Sequence, residues 1–161
     1  LQRLYTLVPA FQRIMDEKAP LTTFPKFATD AIHVGQDPNN WDSHQIIPPI
    51  SMSTTYMQKS PAEPIKYDYS RAGNPTRDCL EACLAACENA SHCSVFSSGL
   101  SAMACIATLL SSGDHIICCD DVYGGTQRYF RKMASKNGVV TDMVDLTNVN
   151  NLIGVVKENT K

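Results

Sequence analysis

The sequence lacks any apolar run near the ~18 residues that a membrane-spanning helix requires, and its lysines and arginines are scattered rather than clustered. The formal net charge of −2 and a pI of about 6.1 leave no basic surface on which to found nucleic-acid or membrane binding. Neither G-x-x-x-x-G-K-[ST] nor G-x-G-x-x-G occurs, which counts against an ordinary nucleotide site. C-x-x-C is absent too, and no histidine stands at zinc-finger spacing from a cysteine pair. His33, His44, His92 and His115 share no ligand spacing, so none is singled out as a base or metal ligand. There is no internal repeat and no low-complexity tract. The chain opens at Leu1 without an initiator methionine, and its first twenty residues are broken by Arg3, Pro9, Gln12 and Arg13. They read as neither signal peptide nor anchor, but as a short amphipathic helix, an extension or an expression remnant of a partial chain.

What remains favours small-molecule chemistry in one compact domain, since a chain of 161 residues buries roughly 70% of its unfolded surface. The cysteines are many and odd in number: Cys79, Cys83, Cys87, Cys93, Cys105, Cys118 and Cys119. The first three recur every four residues, the spacing of a helix face, where thiols serve as small apolar groups. Reduced thiols in a cytoplasmic protein are the economical account, with a redox or metal role as the alternative.

Up to about Lys66, prolines, serines and threonines predict extended arms and loops. Asn74 then offers an N-cap and Pro75 the first helical position, so a helix is expected from Pro75 to about Cys87, with Leu80, Cys83, Leu84 and Cys87 as its apolar stripe. His92–Phe96 reads as a short buried strand, Ser101–Leu110 as an apolar helix, "HIICC" as a second strand, Thr126–Ser135 as a helix and "GVVTDMV" as a third strand. The pattern is βαβαβ, an α/β unit with a parallel sheet whose ligands bind at the carboxyl ends of the strands.

Two loops fall at such ends. In "VFSSGLSAM" the N–H groups of Gly99, Leu100 and Ser101 open a helix, which makes either an anion seat or an ordinary serine N-cap. "DDVYGGTQRYF" carries Tyr123, either a ring-stacking aromatic or a cap on the core, and Arg128, either a solvated residue or a carboxylate binder. Earlier, in "YDYSRAGNPT", Tyr69 and Arg71 are two apart in an extended segment and so share a face. They present a hydroxyl and a planar cationic fork to a phosphate or carboxylate, or else form a solvated surface strand.

The stretches "FATDAIHVGQDP", "IIPPISMSTTY", "YSRAGNPTRDCLE", "FSSGLSAM" and "IICCDDVYGGTQRYFRKMAS" together resemble the Cys/Met-metabolism family of pyridoxal-phosphate enzymes, from about Phe27 to Lys161. The resemblance implies a fold-type I, aspartate-aminotransferase-like α/β domain assembled as dimers and tetramers with active sites at the dimer interface. It divides the chain into an extension (1–26), an arm for the dimer interface and the neighbouring active site (27–74), and an incomplete first part of the cofactor domain (75–161). It places Tyr69 and Arg71 on the cofactor phosphate of the neighbouring subunit, and Gly99 and Leu100 on that of the chain's own cofactor. Tyr123 is implied to stack on the pyridine ring and handle protons, and Arg71, Tyr123 and Arg128 to meet the substrate. Within the family it leans to α,γ-elimination of L-cystathionine, with γ-synthase or methionine γ-lyase chemistry as alternatives. A non-catalytic fragment acting as an interaction module is the reading of another class. The Schiff-base lysine is expected beyond Lys161, which matches a different position of the family.

Overall fold

A computed structural model describes residues 26–161. The expected amino-terminal helix or extension therefore lies almost wholly outside the described residues. The described residues form two compact units, 26–95 and Phe96–Lys161.

The first unit is built on two helices, α1 (Phe27–His33) and α2 (Pro75–Cys87). The expected bounds of α2 hold because its start is written in the chain: the Asn74 side chain accepts from the N–H groups of Thr76 and Arg77, and Pro75 needs no N–H partner there. The expected stripe holds only at its cysteines, Cys87 being buried and Cys83 half-buried. Leu80 and Leu84 are exposed, while Cys79, Ala85 and Cys87 are buried. The reason is α1, a helix in a stretch expected to be all arm and loop. It packs on the thiol side of α2, and the Cys79 and Cys83 thiols donate to the carbonyls of Gly35 and Ala31. Burial holds the Cys79 and Cys87 thiols above the usual thiol range. Between the helices run loops and one small antiparallel hairpin, β1 (Gln58–Ser60) with β2 (Glu63–Pro64).

The second unit begins with α3 (Gly99–Ala107) and continues through β3 (His115–Cys119), α4 (Gly124–Lys132) and β4 (Val140–Val144) to the short α5 (Asn150–Ile153). Strands β3 and β4 are parallel, with His115 opposite Val140 and Cys119 opposite Val144. Parallel neighbours need a crossover, and α4 supplies it. Phe130 of α4 enters a core with Ala107, Ala134 and Val139. On the free side of β3, the His115 N–H donates to the Asn159 carbonyl and the Lys161 N–H to that of His115, which adds the start of a third parallel neighbour.

One expected strand is missing. Residues His92–Phe96 carry no regular secondary structure, and no described strand runs alongside to complete a ladder. The β3–α4–β4 half of the expected βαβαβ unit is present, and in its first half an irregular segment leads into α3. All seven thiols are free. Among the described residues no helix is long and apolar enough to cross a membrane, and no group of side chains is arranged to hold a metal ion.

Candidate active site

The pair Tyr69 and Arg71 comes together, but on a turn and not in the extended segment expected, since Ser70, Arg71 and Ala72 are turn residues. Tyr69 forms an antiparallel bridge to Thr55, and the Ser70 N–H donates to the Thr54 carbonyl, so the start of the turn is held against the arm. The Arg71 guanidinium then lies over the Tyr69 ring, 4.4 Å from its centroid. A cation on an aromatic face is held in place while its N–H groups remain open to an anion. The turn that carries Arg71 is closed by the N–H groups of Ala72 and Gly73, both donating to the Tyr69 carbonyl.

Helix α2 grips this segment and the arm at several points that sequence reasoning passed over. The Arg77 guanidinium donates to the carbonyls of Ser70 (3.1 Å) and Arg71 (3.3 Å). Asp78 accepts from the Tyr67 hydroxyl at 2.7 Å. Burial and that carboxylate hold the Tyr67 phenol well above its usual range, so it stays a proton donor. The Thr76 hydroxyl donates to the Pro49 carbonyl and accepts from the Ser51 N–H, and the Asn74 amide donates to the Ser51 carbonyl. Most of these partners are backbone groups, which carry no residue-type signature. Only the Arg77–Glu81 pair, four apart on one helix face, was readable from spacing.

In the second unit, Ser98 adopts the N-cap role: its hydroxyl oxygen accepts from the Ser101 N–H at 3.1 Å. Of the three expected anion donors, Ser101 is thus taken. The N–H groups of Gly99 and Leu100 have no partner among the described residues. A Cβ added at Gly99 would meet nothing within 4 Å, so the backbone here is open to an incoming group. These features fit a phosphate, which takes paired N–H donors at the positive end of a helix.

Tyr123 immediately precedes α4 and is 77% exposed. Its ring folds over Gly125, where an added Cβ would fall 2.5 Å from the ring. The ring is therefore available for stacking, and it does not cap the core. Arg128 is exposed on α4, with no salt bridge among the described residues. No hydrogen bond or salt bridge joins Gly99 and Leu100, at the start of α3, to Tyr123, just before α4, or to Arg128 within it.

Comparison with known proteins decides the family. The model of the Cys/Met metabolism PLP-dependent enzymes matches residues 28–161. The chain belongs to that family. A Caenorhabditis elegans relative, itself named after cystathionine gamma-lyase, is 61% identical over 142 residues, which are 88% of this chain and 36% of that protein. Human cystathionine gamma-lyase is 50% identical over 141 residues, 88% of this chain and 35% of its own length. Among solved structures, metB from Corynebacterium glutamicum superposes with a TM-score of 0.80 at 38% identity, covering 86% of this chain and 36% of the other. The fold is thus that of the fold-type I PLP enzymes, and the chain spans about a third of the length of the relatives it matches.

Proposed function

We propose that this chain is the amino-terminal part of a cytoplasmic, pyridoxal-phosphate-dependent lyase that converts L-cystathionine and water to L-cysteine, 2-oxobutanoate and ammonia. When bound, pyridoxal phosphate supplies an electron sink for the amino-acid substrate. The residues of this chain bind and orient. Gly99 and Leu100 hold the phosphate of the chain's own cofactor through backbone N–H groups. Tyr69 and Arg71 hold that of the neighbouring subunit in a dimer, itself half of a tetramer. Tyr123 stacks on the cofactor ring and passes a proton, while Arg71, Tyr123 and Arg128 meet the substrate.

The observation that carries this reading is the Arg71 guanidinium seated on the Tyr69 ring at 4.4 Å, on a turn fixed from α2 with its outer N–H groups open. The test uses the full-length protein. Arg71→Ala should weaken cofactor binding by about 1.5–3 kcal/mol, the size of a charge-assisted contact. Because the contact acts in trans, mixing this variant with one lacking the cofactor-anchoring lysine yields heterodimers with one intact site. Cystathionine cleavage at limiting cofactor should then exceed the mean of the two parents. Activity at that mean, with heterodimers seen by mass spectrometry, shows that Arg71 serves its own chain. Methionine assayed alongside separates γ-lyase action on cystathionine from the methionine γ-lyase alternative.

A further inference from the structure

We propose that Arg77 is a positioning residue for the Tyr69–Arg71 anion clamp: it holds the clamp's backbone from α2 without touching the anion. The inference rests on the reading of Arg71 as a phosphate ligand. Two nitrogens of one planar guanidinium reach two successive carbonyls, Nη1 to Ser70 and Nη2 to Arg71. Gripping consecutive carbonyls fixes both peptide planes, and with them the direction in which the Arg71 side chain leaves the backbone. Neither carbonyl has another partner among the described residues, so loss of Arg77 leaves both to water. The fork is itself held. Arg77 Nε lies 3.8 Å from Glu81 Oε1, and the same oxygen accepts from the Val95 N–H at 3.0 Å. One carboxylate thus joins the clamp's support to the segment that leads toward the Ser97–Leu100 loop. A lysine cannot reproduce this, because its ammonium is a point donor without the geometry of a fork.

Two measurements on the full-length protein test the proposal. The first is hydrogen exchange of the Ala72 and Gly73 amides without cofactor. Arg77→Ala should speed it about tenfold, since one net hydrogen bond of local opening free energy is lost. Glu81→Gln should do so by less, and Arg77→Lys should recover part of the protection. Unchanged exchange overturns the proposal whatever the cofactor does. The second is the pyridoxal-phosphate Kd in a double-mutant cycle with Arg71→Ala. Arg77→Ala alone should raise Kd about five- to tenfold, but less than twofold in the Arg71→Ala background. Equal effects in both backgrounds show that Arg77 acts on general stability and overturn the proposal. Should Arg71→Ala itself leave Kd unchanged, the phosphate reading falls and the positioning role falls with it, while faster exchange still shows the turn to be braced from α2. If Arg77→Ala does not fold, Arg77→Lys carries both tests with the same signs at smaller size.

Discussion

At the scale of single residues, Gly35 shows how a small group decides where a helix pair meets. Its φ of +76° lies in the left-handed region, and an added Cβ would strike the Cys79 carbonyl oxygen and come within 3.1 Å of the Ala82 Cβ. Gly35→Ala therefore combines the ~1–2 kcal/mol left-handed penalty with a clash against helix backbone that no rotamer relieves. The full-length protein should lose about 2–4 kcal/mol, read as a lower denaturant midpoint at unchanged slope. A loss under about 0.5 kcal/mol, the range of ordinary surface changes, would show that the seam between α1 and α2 opens easily. The residue scale is also where the sequence was most legible. Tyr69 and Arg71 met as their closeness in the chain suggested, although a turn and not a strand brings them together, and Ser98 capped α3 as one of its two readings allowed. Arg77 was hidden because its targets are carbonyls, which every residue possesses.

At the scale of elements, the second unit is tied by a knot around His115, which is fully buried. Its Nε2 lies 3.0 Å from Asp142 Oδ2 on β4, and its Nδ1 lies 2.8 Å from the Thr160 hydroxyl. Lys157 donates to the same Asp142 oxygen at 2.6 Å. Hydrogen bonds from Lys157, then from His115, hold the Asp142 carboxyl below its ordinary value of 3.8. A depressed carboxyl adds stability that is fully present above the unfolded value and disappears as pH falls through the folded one. The denaturant midpoint of the full-length protein should therefore drop on acidification from about pH 4 downward, and Lys157→Met should flatten that part of the curve. Parallel curves for the two proteins would show that the pair adds nothing. Elements were legible where the chain encodes its own ends, as Asn74 and Pro75 do for α2. They were not legible where a neighbour decides. His92–Phe96 has a strand's composition but no partner among the described residues, and the buried face of α2 was set by α1, whose short sequence lacks strong end signals.

At the scale of the whole molecule, each unit leaves apolar side chains uncovered. Ile47 and Met52 in the arm are 81% and 87% exposed, and Leu109 after α3 is 82% exposed. Surfaces of this kind associate. The isolated 161-residue chain should sediment as more than a monomer, and with pyridoxal phosphate and cystathionine it should release no 2-oxobutanoate above a free-cofactor control. A sharp thermal transition in a monomer would show self-sufficient units, and turnover above the control would show that Lys161, 3.9 Å from Asp114, had been misread. The grip of α2 on the arm reaches further still. The first two turns of that helix hold Pro49, Ser51, Tyr67, Ser70 and Arg71, so arm and helix are inherited as one block. When sequences of two relatives are recombined, a crossover within 68–73 takes Tyr67 and Asp78 from different parents, and theirs is the bond of this set that depends on both side chains. A crossover between Val95 and Phe96, where the two units divide, keeps every one of these bonds within a single parent.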